Sequence, residues 1–136
     1  MASIFSKIAK GEIPSYKVAE SDKYYAFLDI NPLAIGHTLV IPKEETDYLF
    51  DLSDEDFNGL MMFAKKIAAA IKKTYPDRRV GMAVIGFDVP HAHIHLVPMQ
   101  NMNDIDFKRA RVKLSNEEFK SIAESIIRNY ELGITN

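Results

Sequence analysis

Apolar residues recur at three- and four-residue steps between Phe57 and Ile71. Phe57, Leu60, Met61, Ala64, Ile67, Ala68 and Ile71 fall on one stripe, with Lys65, Lys66, Lys72 and Lys73 on the other side. That spacing predicts a long helix buried along one face. Ser53 and Asp56 precede it at N-cap and N3 spacing, an acidic variant of the capping box, and Tyr75-Pro76-Asp77 ends it. Phe119, Ile122, Ala123, Ile126, Ile127 and Tyr130 form a second stripe behind Ser115 and Glu118, a full capping box. They predict a C-terminal helix ending before Gly133. A shorter stripe of Ile4, Phe5 and Ile8 predicts a helix over Ser3–Lys10 stopped by Gly11. The Met61-Met62-Phe63 cluster suits core packing better than a ligand pocket, since methionine fills irregular gaps.

Between the helices the period changes to two. Tyr16–Ala19 and Tyr24–Leu28 read as strands joined by Ser21-Asp22-Lys23, a hairpin. Asp29-Ile30-Asn31-Pro32 breaks regular structure, because the proline drives Asn31 out of the α region. His37–Pro42 is a third strand, rich in β-branched residues, Val80–Ile85 a fourth and His91–Met99 a fifth. Asn101–Asp106 reads as loop, and Lys108, Arg109, Arg111 and Lys113 as a solvated basic face without aromatic interleaving. The order implies one α+β domain over residues 1–136. Its five-stranded, mainly antiparallel sheet carries one long helix, a short N-terminal helix and a C-terminal helix.

In the fifth strand His91, His93 and His95 alternate with Ala92, Ile94 and Leu96, so the three imidazoles share one face. The remaining histidine is His37. Two chemistries gather imidazoles in this way. One is a transition-metal site, in which neutral ring nitrogens are the ligands. The other is nucleophilic attack by imidazole, with neighbouring rings stabilising charge on phosphoryl oxygens. Spacing alone does not separate them.

Bulk properties narrow the field. The 136 residues include 47% apolar and 26% charged side chains, ordinary for a soluble globular domain. A formal charge of −2 supplies no electrostatic reason for nucleic acid or an anionic membrane as partner. No apolar run approaches the roughly 20 residues of a membrane span, and the N-terminus lacks the apolar core of a secretory signal. Cysteine is absent, which excludes thiolate ligands and fits a reducing cytoplasm.

His91-Ala92-His93-Ile94-His95-Leu96-Val97 fits His-φ-His-φ-His-φ-φ, with φ apolar, and so resembles the signature of the histidine triad (HIT) superfamily. Upstream, Ile4-Phe5-Ser6-Lys7-Ile8, Gly11-Glu12-Ile13-Pro14, Ala26 to Pro32 and Gly36 to Lys43 resemble its Hint-type branch. The likeness runs from about residue 3 to residue 98 and does not need the tail after Met99. It implies a nucleotidyl hydrolase or transferase acting at the α-phosphate of nucleoside phosphoramidates or related conjugates. It also implies a purine-nucleotide partner, a homodimer joining two sheets, and no cofactor. Carried over by position, His93 is the nucleophile and His95 contacts the α-phosphate. His91 supports the site through its backbone carbonyl, and His37 reaches the same pocket. Asp29 binds ribose hydroxyls, and Phe5, Ile8, Ile13, Phe27 and Ile30 form the wall against the base.

Departures from the pattern bear on the chemistry. Ser3 and Ser6 stand where many bacterial members have the cysteines of a structural zinc site, and Glu45 stands where a histidine would complete it. These residues argue against a closed zinc site. Gly86-Phe87-Asp88-Val89 replaces a Gly-Gln-Ser/Thr-Val stretch whose serine helps protonate the leaving group. Asp88 therefore joins the nucleotide-binding set without that serine's donor. Two other classes of function stay open: a nucleotide-binding sensor or interaction module with little turnover, and a metal-dependent hydrolase with the three histidines as ligands.

Overall fold

The central strands are apolar on both faces, and the fold is the way those faces are covered. A computed structural model of the chain describes residues 2–135. Its elements run α1 (Ile4–Ala9), β1 (Lys17–Glu20), β2 (Tyr24–Leu28), β3 (Thr38–Pro42), α2 (Asp54–Thr74), β4 (Arg79–Ala83), β5 (Ile94–Met99) and α3 (Asn116–Thr135). The five strands form one sheet in the order β1-β2-β3-β5-β4, and every neighbouring pair is antiparallel.

Alternation along the strands sorts their side chains between two layers. Ala26 and Leu28 of β2, Val40 of β3 and Ile94 and Leu96 of β5 face one way, toward Leu60, Ala64, Ile67 and Ile71 of α2 and Phe119, Ala123 and Ile126 of α3. Burying each large aliphatic side chain of that layer contributes roughly 2 kcal/mol. Tyr25, Phe27, Leu39 and Ile41 face the other way and pack with Phe5 and Ile8 of α1. α1 is only six residues long and covers this second face incompletely. Ser3 caps it by accepting from the Ser6 N–H, and Gly11, at φ +80°, ends it as its position predicts.

Several boundaries differ from the pattern. The fifth strand begins at Ile94, so His91 and His93 precede the ladder. The cause lies in contacts distant in the chain: the Ala92 N–H donates to the Thr46 carbonyl, and Pro42 has no N–H to offer while its carbonyl accepts from the His91 ring. The side-chain alternation nonetheless continues through this approach. Ala92 joins the helix-covered core, while the His91 and His93 rings lie beside Phe5. At α2 only half of the capping box forms: Ser53 accepts from the Asp56 N–H, but the Asp56 carboxylate turns to Lys23 at 3.3 Å. At α3 both halves form between Ser115 and Glu118. α3 passes Gly133 to reach Thr135, so that glycine does not stop it. The loop after β5 contains a 3-10 turn at Met102–Ile105, closed by an Asn101–Asp104 capping box. No helix of the described residues is long and apolar enough to cross a membrane.

Gly36 shapes the turn into β3. It sits at φ +95°, and a Cβ there would lie 2.7 Å from Tyr75 Cε2 and 3.2 Å from Pro98 Cγ. Gly36→Ala is expected to destabilise the protein by about 2 kcal/mol, from the left-handed backbone and the clash together. Urea unfolding checks this; an unchanged midpoint would mean that the turn relaxes freely.

Candidate active site

His91, His93 and His95 interrupt the apolar row on the sheet face that α1 covers, and all four histidines of the chain are buried there. A buried imidazole needs a partner for each ring nitrogen, and those partners decide which nitrogen holds the proton. A carbonyl only accepts and a backbone N–H only donates, so each assignment follows from the neighbour.

The His91 Nε2 lies 2.7 Å from the Pro42 carbonyl and must donate to it. Its Nδ1 is then the acceptor and takes the Ser3 hydroxyl proton at 2.9 Å; the Ser6 hydroxyl oxygen is 3.2 Å away, with its own proton directed to Glu45. Behind them the Glu45 carboxylate accepts from the Ser3 N–H and, at 2.8 Å, from the Ser6 hydroxyl. Those donors hold Glu45 down to about 2, the Ser3 N–H most strongly. Ser3, Ser6 and Glu45, the three positions the resemblance groups, thus come together, and the ring of His91 joins them. They form a satisfied hydrogen-bond network of hydroxyls, one carboxylate and a ring whose Nε2 carries the proton. This donor set does not fit a structural zinc ion, which takes thiolate and imidazole.

The His93 Nδ1 donates to the carbonyl of His91 at 2.7 Å. In the neutral ring its Nε2 then holds the lone pair. That atom is buried yet makes no hydrogen bond among the described residues. The Asp88 carboxylate stands 3.3 Å away, within ion-pair distance but not aligned as a hydrogen bond. The Leu33 N–H donates to His37 Nδ1 at 2.9 Å, which puts the His37 proton on Nε2. His37 Nε2 faces His95 Nδ1 at 3.0 Å and donates to it, leaving the His95 proton on Nε2. Burial drives His37 down to about 3 and His95 to about 4, and lowers His91 as well. These three rings are neutral at pH 7.

Asp29 closes the group from the loop after β2. Its Oδ1 accepts from the Asn31 N–H at 2.8 Å, an Asx turn ahead of Pro32, and its Oδ2 is 3.5 Å from His37 Nε2. Burial raises its pKa. Asp29, His37 and His95 are close enough to surround a cation. Such an ion would need the lone pair of His37 Nε2, the atom that the Leu33 N–H obliges to carry the proton. The donor chemistry therefore disfavours a metal at this cluster.

His93 and His95 open onto a cavity of about 300 Å³. Phe5, Ile8, Ile13, Phe27 and Ile30 line it, with Asp29 and Asp88 as its acidic groups. Every site residue expected from the sequence is thus at this cavity or directly behind it. His91 and His37 do not line it; they lie behind His93 and His95. Ile30 is at the exposed rim. A larger groove of about 570 Å³ beside Tyr16, Asn116 and Lys120 contains no histidine.

Two residues of the cavity are not marked by any pattern in the sequence. The Phe107 ring meets His95 edge-on at 4.6 Å between centroids, and Arg111 lines the same space. Lys108, Arg109 and Lys113 are exposed, as a solvated face requires, but Arg111 turns inward. The signal available was slight: one aromatic residue in a polar tail, with an arginine four positions on.

Residues 10–102 match the HIT domain family. A HIT-like protein of Borreliella burgdorferi is 39% identical over 134 residues, spanning 93% of this chain and 96% of that one. A Schizosaccharomyces pombe protein named adenosine 5′-monophosphoramidase is 37% identical over 128 residues, with 93% and 96% covered. Among solved structures, a Hit-like protein of Bartonella henselae superposes with a TM-score of 0.80 at 31% identity, covering 93% of this chain and 95% of that one.

The buried neutral histidines carry a pH signature. Below about pH 6.5 the unfolded chain protonates its histidines, whereas His95 and His37 resist in the fold down to about 4 and 3. Stability present at pH 7 should therefore fall as pH drops from about 6.5 toward 4, by up to about 1.4 kcal/mol per pH unit for each histidine. Glu20, Glu45 and Asp104, all held near 2, add losses only as pH falls below their ordinary values, whereas Asp29, whose pKa is raised, acts in the opposite sense above its own ordinary value. Unfolding free energies at pH 7 and pH 5 test this; equal values would mean that the rings are charged in the native state.

Proposed function

The chain belongs to the HIT domain family, and from that premise we propose that it is a nucleotide hydrolase cleaving nucleoside phosphoramidates at the α-phosphate through a covalent His93 intermediate. The observation that carries this reading is the His93 ring. Its Nδ1 is tied to the His91 carbonyl, and its Nε2 is buried at the cavity without a hydrogen bond. A buried polar atom left without a partner is costly in a folded protein unless a ligand or reaction uses it. The relative named as an adenosine 5′-monophosphoramidase supports the substrate class.

In this mechanism the His93 Nε2 lone pair attacks the α-phosphorus and the P–N bond to the amine breaks. The amine leaves with a proton acquired from solvent on the side where the exposed Asp88 stands. As bonding moves to phosphorus, positive charge spreads to His93 Nδ1–H, where the His91 carbonyl stabilises it. The Nε2–H of His95 donates to a non-bridging oxygen, a direction set by His37 and ultimately by the Leu33 N–H. Asp29 accepts from ribose hydroxyls, while Phe5, Ile8, Ile13 and Phe27, with Ile30 at the rim, hold a purine base. Water then attacks the nucleotidyl–His93 bond, releasing the nucleotide and restoring the ring. One observation favours a second reading, a nucleotide-binding module with little turnover: the Asp88 carboxylate, 3.3 Å from Nε2, would repel an anionic phosphate approaching that atom.

We further propose a homodimer. β1 and β4 are both edge strands, and edge pairing or helix contact between copies would protect an unpaired ladder. Light scattering at micromolar protein is expected to report twice 15.4 kDa; a clean monomer at that concentration removes the claim.

The mechanism is tested with AMP-morpholidate. The wild type should turn it over with or without chelator, and rapidly quenched enzyme should carry one nucleotidyl adduct on His93. His93→Ala should lose turnover by several kcal/mol of transition-state stabilisation while still binding AMP. Unchanged turnover in that variant would sink the mechanism. AMP binding without turnover by the wild type would select the sensor reading, and chelator-sensitive turnover the metal reading.

A further inference from the structure

We infer that Arg111, supplied by the tail between β5 and α3, is a phosphate-contacting residue of this cavity and makes it selective for a nucleotide over a nucleoside. This rests on the nucleotide-binding part of the function proposed above. The first consideration is charge. An α-phosphate brings at least one negative charge into the site, yet His37, His91 and His95 are held neutral by burial at pH 7. Apart from His93, which carries the attacking nitrogen, the other ionisable groups facing the space, Asp29 and Asp88, are carboxylates. Arg111 is the one lysine or arginine among the described residues that line the cavity.

Its position is built rather than incidental. Nη1 donates to the Asn31 carbonyl at 2.8 Å and Nη2 to the Phe107 carbonyl at 3.2 Å. The guanidinium also lies 5.7 Å from the centroid of the Phe107 ring, which in turn meets His95. Next to it, the Val112 N–H donates to the Pro32 carbonyl, so the tail is stitched to the loop that carries Asp29. Two of the five guanidinium N–H donors are thereby used on main-chain carbonyls, and three are left. No ion pair engages Arg111 among the described residues. The Asp29 carboxylate feels its charge without pairing to it. A half-buried arginine held by carbonyls, with donors to spare and no counter-ion, lining the same cavity as His95 and close enough for its charge to act on that ring, suits the oxygens of a 5′-phosphate. Asn31 follows Asp29 by two residues and the Phe107 ring meets His95, so the guanidinium is anchored to the loop and the ring that flank the proposed phosphate position.

The alternative is that Arg111 merely pins the tail to the Asn31 loop. Binding of AMP and of adenosine separates the two roles, because only AMP carries the charge. Arg111→Gln should weaken AMP binding by about tenfold or more, as loss of a charge-assisted contact implies, and change adenosine binding less than twofold. Arg111→Lys should recover part of the AMP affinity, and Lys108→Ala, on the exposed side of the tail, should change neither ligand. Equal losses for AMP and adenosine, or undiminished AMP binding in Arg111→Gln, would overturn the inference. Melting temperatures of both Arg111 variants identify any loss of fold. Turnover is read separately. Wild type that binds AMP in an Arg111-dependent way without cleaving AMP-morpholidate leaves this inference standing and removes the hydrolase. Normal cleavage with AMP binding indifferent to Arg111 does the reverse.

Discussion

The constraint on which this site depends is that fixed backbone groups decide the protonation of imidazoles in a dry interior. Pro42 O, His91 O and Leu33 N–H each present one unambiguous donor or acceptor to one ring nitrogen. The proton of each of those rings goes where its neighbour demands, and His37 passes the instruction on to His95. The result is an ordered set of tautomers: the lone pair of a neutral His93 ring is at Nε2, and the N–H of His95 is at Nε2. Side-chain partners could rotate and exchange roles, whereas backbone partners held by the sheet and by the Gly36 turn cannot. Preorganisation of this kind spares the site a rearrangement when charge develops during reaction.

The same arrangement explains why the polar cluster is compatible with a stable small domain. Four buried imidazoles would be expensive if their nitrogens lacked partners. Six of the eight have one among the described residues, and the two exceptions, His93 Nε2 and His95 Nε2, belong to the rings at the cavity. The larger apolar layer lies on the opposite face of the sheet, under α2 and α3. α1 covers less, contributing Phe5 and Ile8 to the cavity and, through Ser3 and Ser6, tying the chain's beginning to His91. In this chain hydroxyls and the Glu45 carboxylate make that tie through hydrogen bonds, and it leaves His91 neutral at pH 7.

Charge is distributed to match. The rings of His37, His91 and His95 beside His93 are neutral, Asp29 and Asp88 line the cavity, and Arg111 brings in positive charge from outside the sheet. In the proposed mechanism a phosphate flanked by a ribose and an amine would meet a hydroxyl acceptor, a cation with an N–H donor, and the nucleophile, with a carboxylate near the departing amine. The apolar wall contributes affinity without polar demands, as is usual where a flat base must be held beside a charged centre.

The amino-acid sequence by itself determined the element types and most of the site. Local rules suffice for helices whose apolar stripes bury one face, for the hairpin at Ser21–Lys23, and for the alternation that sets the three histidines opposite Ala92, Ile94 and Leu96. The HIT-like motifs likewise anticipated which residues meet at the cavity, because side chains on one face of adjacent strands converge once the sheet forms. Tertiary structure decided what local pattern does not encode. The ladder starts at Ile94 because Thr46 and Pro42, distant in the chain, take up the groups before it. The Asp56 carboxylate forsakes its cap for Lys23, a residue on another element. The protons of His93, His37 and His91 were assigned by backbone atoms 2, 4 and 49 positions away. Arg111 looked like one of four solvated basic residues and became a wall of the site. Whether a charged side chain turns inward depends on which carbonyls wait for it, and the Asn31 carbonyl belongs to a loop 80 residues earlier.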